Sequence, residues 1–117
     1  MKGLVNLLKA TADESRLRIL FLLEEGERCV CEIQEALGLA QSTVSRHLQV
    51  LEEVGIIQSR RQGLWKYYRF RELPPPAAQL LLALVRQEAR QLPEAAEMKE
   101  RLGAVQGSAG CGRMAAV

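Results

Sequence analysis

The 117-residue chain is long enough for one hydrophobic core and short for two domains. Hydrophobic residues make up 48% of it but aromatics only 4%, which favours packed helices of Leu, Ile, Val and Ala over a β-sandwich. A net charge of +2 excludes a uniformly basic protein, yet the charge is unevenly placed. Six basic residues (Arg46, Arg60, Arg61, Lys66, Arg69 and Arg71) face two acidic ones between Gln41 and Arg71, so that segment carries +4 and the remainder −2. A basic segment on a neutral body is what phosphate contacts require.

In chain order, Leu4, Leu7 and Leu8 predict a first helix over about 2–9. Asp13 is placed to cap a second helix carrying Leu17, Leu20 and Phe21, with Gly26 as its stop. A short third helix is predicted over 30–37, ending at Gly38, and a fourth opens at Gln41-Ser42 and closes at Gly55. Next, Ile56 and Ile57 and the run Leu64 to Phe70 flank Gln62-Gly63, the pattern of a short hairpin. Pro74, Pro75 and Pro76 separate the hairpin from an apolar helix over 77–91, and a further helical piece is expected over 94–102. Residues 1–102 thus form one domain, and 103–117 a Gly/Ala-rich tail expected to be mobile.

The longest apolar run, 80–85, is far short of the ~20 residues that span a bilayer. The first ten residues lack the apolar core and small-residue cleavage site of a signal peptide, so a cytoplasmic protein with no membrane partner is expected. Three cysteines in such a compartment point to thiols or metal ligands rather than a disulfide framework.

Two short helices joined by a Gly turn, then a basic hairpin, give the order of a winged helix-turn-helix, mainly α with a small β wing. If Val44, Leu48 and Leu51 face the core, Gln41, Ser42, Thr43, Ser45 and Arg46 are left outside near the start of the fourth helix. Gln can pair with adenine, Arg with guanine, and Ser or Thr with base or phosphate. Arg60, Arg61 and Lys66 would flank the wing tip, against phosphate or the minor groove. His47, alone beside Leu48, reads as a hydrogen-bonding packing residue rather than a ligand.

Four stretches, "ADESRLRILFLL" (12–23), "CVCEI" (29–33), "LGLAQSTVSRHLQVLEEVGII" (37–57) and "RRQGLWKYYRF" (60–70), resemble the ArsR/SmtB-type metal-responsive transcriptional repressors over about residues 3–92. That resemblance implies a homodimer joined through first and last helices, here 2–9 and 77–91. It also implies operator DNA bound in the metal-free state and released when metal binds.

Cys29 and Cys31 stand at the mouth of the third helix, where unpaired N–H groups and Arg28 favour thiolate while Glu27 and Glu32 oppose it. Soft thiolates suit arsenic and antimony in the trivalent state, and also Zn, Cd, Pb and Cu(I). Residues two apart on a regular helix point about 200° apart, so gripping one ion is expected to bend that turn and misplace Gln41 to Arg46 beyond it. The "CVC" resembles the arsenic-responsive members, which commonly carry a further cysteine where this chain has Gln34. Cys111, in the tail, is the candidate third ligand. The family's zinc site on the last helix needs Asp and His, absent from 77–91, and its cadmium/lead site needs cysteines absent from 1–28.

The expectation is therefore a repressor induced by arsenite or antimonite, not an enzyme and without a catalytic cofactor. Cd, Pb, Zn or thiol redox state are the alternative signals. A thiol oxidoreductase or arsenate reductase using Cys31 is the enzymatic rival, and it lacks a C-x-x-C pair or an oxyanion loop. A dimerisation module without ligand is the third, opposed by the basic hairpin.

Overall fold

The computed structural model describes residues 1–93, 95–98, 100 and 101. Helix α1 (Lys2–Thr11) ends where the Thr11 hydroxyl turns back to donate to the Leu7 carbonyl at 2.8 Å. Asp13, in extended conformation, caps α2 (Glu14–Leu22): its carboxylate accepts from the Arg16 amide at 3.0 Å. A 3-10 turn over Leu23–Glu25 follows, and the chain reverses at Gly26, whose φ of 132° only glycine adopts readily.

Strand β1 is only Arg28–Cys29, and α3 (Val30–Leu37) starts directly after it. Gly38, left-handed at φ 69°, ends α3 and leads into α4 (Gln41–Glu53). The wing is β2 (Ile57–Gln62) and β3 (Trp65–Phe70), antiparallel from Ile57 opposite Phe70 to Gln62 opposite Trp65. Its two-residue turn is Gly63-Leu64, one residue later than the sequence suggests, because Gln62 is still paired. Gly63 takes the positive φ, 63°, that the first position of such a turn demands. Helix α5 (Pro76–Ala89) places Pro76 in its first turn, where a missing N–H costs nothing. Residues 93, 95–98, 100 and 101 are helical, matching the helical piece expected there; the tail 103–117 with Cys111 lies outside the described residues.

The sheet has the order β1-β3-β2, with Arg28 opposite Tyr68 and Cys29 opposite Tyr67. Sequence reading found the hairpin but not β1, since two residues carry no alternation signal. The core sits where α2 meets α3, α4 and α5: Ile19, Leu20, Ile33, Val44, Leu48 and Leu51 are all fully buried. α1 and α5 are apolar on more than their buried sides. Leu4, Val5 and Leu8 on α1, and Leu80 and Leu84 on α5, stay exposed while Leu7, Leu82 and Val85 are covered. Among the described residues, no helix is long and apolar enough to cross a membrane.

Candidate nucleic-acid interface and thiol site

The face of α4 is sorted as its spacing requires. Val44, Leu48 and Leu51 are wholly inside; Gln41, Ser42 and Arg46 are exposed, with Thr43 and Ser45 half-buried beside them. Five polar side chains thus rise from the first two turns of a helix pinned from below, the arrangement a groove-reading helix needs. His47 is half-buried and its Nδ1 accepts from the Arg16 guanidinium at 3.2 Å. The same guanidinium donates through Nε to the Ala10 carbonyl, so Arg16 ties α1, the cap of α2 and α4 together. The packing role expected for His47 fits this contact. Arg16 itself escaped sequence reading, because one arginine in an amphipathic helix looks like a solvated charge. Its partner Asp13 has its carboxyl pushed below the usual range, chiefly by the Arg16 amide it accepts from.

The three wing cations are not equivalent. Arg61 is exposed near the tip, and Lys66 lies 5.4 Å from the centre of the Tyr68 ring. Arg60 is held by its fork: Nε and Nη2 donate to the two carboxylate oxygens of Glu27 at 2.8 and 2.6 Å. It also stacks 4.8 Å above Tyr67 and donates to Gln62. Glu27 holds the Arg60 guanidinium further on the charged side.

At the thiols, the picture of two sulfurs on a regular helix needs correction. Cys29 is the extended N-cap of α3, at φ −84° and ψ 161°, and only Cys31 is inside the helix. Residues 29–31 are therefore a strand-to-helix junction, with Cys29 before the helix and Cys31 inside it. Cys29 and Glu32 form a capping box: the Glu32 carboxylate accepts from the Cys29 amide at 3.0 Å, and the Cys29 side chain faces the Glu32 amide. Arg28, nearly buried, lies 3.6 Å from Glu32 and 3.8 Å from Glu25. Cys29 is fully buried and disulfide-bonded; Cys31 is half-buried and free.

The expected drift of this thiol toward thiolate is reversed at Cys31. Burial pushes its pKa up and the Glu32 carboxylate adds to that, outweighing the lowering effect of the helix-start amide. With Cys29 reduced, two sulfur donors separated by one residue suit a thiophilic ion bound through sulfur. Among the described residues, no cluster of three or more His, Cys, Asp or Glu side chains could hold a metal ion.

Residues 13–59 match the family described as "Bacterial regulatory protein, arsR family". The arsenic resistance transcriptional regulator ArsR1 of Pseudomonas putida is 52% identical over 62 residues, 52% of this chain and 48% of that protein. The matched part of this chain thus spans about half the length of that relative. The arsenical resistance operon repressor of Escherichia coli is 44% identical over 79 residues, 66% of this chain and 68% of the repressor. Among solved structures, a possible ArsR-family regulator from Mycobacterium bovis, described as a homodimeric winged helix-turn-helix DNA-binding domain, is 37% identical with a TM-score of 0.64. That likeness covers 77% of this chain and 81% of the other. The winged helix-turn-helix and these likenesses together place the chain: it belongs to the arsR family of bacterial regulatory proteins.

Proposed function

We propose that the protein is a transcriptional repressor that binds operator DNA as a dimer and releases it when arsenite or antimonite binds Cys29 and Cys31. One observation carries this reading. The two cysteines occupy the N-cap and second residue of α3, the helix that runs through Gly38 into the reading helix α4. A ligand on those sulfurs competes with the capping box that fixes the start of α3. It therefore interacts differently with the DNA-competent and distorted states, which is what coupling between two sites requires. The names of the Pseudomonas putida and Escherichia coli relatives support a metalloid as the inducer.

In this reading Gln41, Ser42, Thr43, Ser45 and Arg46 meet base edges and nearby phosphates, while Arg61, Lys66 and Arg60 serve the wing. The exposed leucines of α1 and α5 form the dimer seam, in keeping with the homodimeric Mycobacterium bovis domain. Two-fold symmetry then sets two half-sites about one helical turn, ~34–36 Å, apart. Cys111 is the candidate for a third sulfur. The role needs no catalytic cofactor and no membrane, and it is exercised in the cytoplasm.

The test is release of the reduced protein from a fluorescent operator, titrated in parallel with arsenite, cadmium and zinc. Arsenite is expected to act at the lowest concentration. Release by cadmium or zinc alone would assign the same fold to another metal.

A second reading, that thiol oxidation is the signal, is favoured by the disulfide on Cys29 beside a free Cys31. Operator affinity measured across a glutathione redox series, without metalloid, separates the two.

A further inference from the structure

Wing and thiol junction are joined by a contact that lies outside α4. The row Cys29, Tyr67, Arg60 crosses all three strands of the sheet: Cys29 is opposite Tyr67, and Tyr67 is opposite Arg60. Two residues before Cys29, Glu27 sends its carboxylate to the same Arg60 and meets its guanidinium at both oxygens, 2.8 and 2.6 Å away. Tyr67 supports that guanidinium from one side, its ring centre 4.8 Å from Cζ. A carboxylate facing the Nε and Nη2 edge of arginine takes up the fork geometry that a phosphate would use. While Glu27 holds it, that edge is closed to DNA.

We infer that Glu27 is an internal competitor for DNA phosphate at Arg60, and so a positioning residue that sets how tightly the wing grips the duplex. The inference rests on the reading of this chain as a DNA-binding repressor. To engage a phosphate through the same edge, Arg60 must leave Glu27, and the affinity the wing could supply is reduced by the cost of that release. The pair is half-exposed on the arginine side, 49%, and 25% exposed on the glutamate side, so the opposing energy is small and the balance can tip. Arg61 and Lys66 have no such carboxylate partner among the contacts of the described residues. Arg60 is the wing cation under internal control.

The experiment uses the full-length reduced chain and a fluorescent duplex enriched by the wild-type protein from a random library. Operator affinity is measured over a salt series for the wild type, Glu27→Gln, Arg60→Ala and the double variant, with circular dichroism confirming that each is folded. Glu27→Gln is expected to bind about two- to five-fold tighter, the range that loss of an exposed ion pair allows. Its plot of log affinity against log salt should steepen by about 0.9, the signature of one added phosphate contact. Both gains should vanish when Arg60→Ala is added. Equal or weaker binding by Glu27→Gln at an unchanged slope overturns the inference, as does a gain that survives Arg60→Ala. If the wild type enriches no duplex at all, the DNA-binding reading fails first and the competitor role falls with it.

Discussion

Replacing Glu32 by alanine is the sharpest stability test of the junction at Cys29. The Glu32 carboxylate accepts from the Cys29 amide at 3.0 Å, a charge-assisted bond of about 1.5–3 kcal/mol. It also lies 3.6 Å from Arg28, whose side chain is 9% exposed. Stripping the partner from a buried ion costs about 3–5 kcal/mol when nothing replaces it. Here Glu25 remains at 3.8 Å, but it is 58% exposed and a weak substitute. The two losses overlap in one side chain, and we expect Glu32→Ala to cost about 2–3 kcal/mol. For a domain of this size that lowers Tm by about 10–20 °C. Glu32→Gln, which can still accept from the amide, should lose about half as much. Urea denaturation at neutral pH followed by circular dichroism measures both. A loss below ~0.5 kcal/mol for Glu32→Ala, no more than a surface substitution, would refute the claim that Glu32 holds this junction.

Asp13→Ala should cost about 1 kcal/mol, as loss of an N-cap does. Since the Asp13 carboxyl is depressed in the folded state, its charge-dependent stabilisation is full above the ordinary carboxylate value of 3.8. That part is lost as pH falls below it, so the gap between wild type and variant should narrow in acid; a gap that widens there would contradict the assignment. Alkylation of Cys31 by iodoacetamide should rise with pH to a midpoint above that of the urea-unfolded chain, because burial and Glu32 hold the thiol protonated. A lower midpoint in the folded protein would show that the helix start dominates after all. Arg46→Ala should weaken operator binding by about 1–3 kcal/mol while leaving stability near wild type. An unchanged operator affinity in a fluorescence titration would remove Arg46 from the reading surface.

Most of the architecture was legible because periodicity and punctuation agreed. Val44, Leu48 and Leu51 recur at helical spacing, and Gly38 and Gly55 lie at the ends that their left-handed φ values, 69° and 79°, mark. Asp13 announced its helix by residue type alone. What sequence could not show was pairing at a distance. Glu27 and Arg60 are 33 residues apart and look like two solvated charges until β1 docks on β3. The start of α3 at Val30, directly after Cys29, was legible, but a two-residue strand feeding straight into a helix leaves no pattern of its own, and β1 stayed hidden. The thiolate expectation for Cys31 weighed charges and the helix start but not burial, which sequence does not give and which decides the direction.

In the proposed function Cys29 and Cys31 convert metalloid binding into DNA release. Its most direct measurement is operator affinity with and without arsenite, for the reduced wild type and for the Cys29→Ser, Cys31→Ser double variant. Both proteins are expected to bind the operator, and arsenite to lower affinity, by about 1–3 kcal/mol or somewhat more, in the wild type alone. A double variant that still leaves the operator when arsenite is added would contradict it.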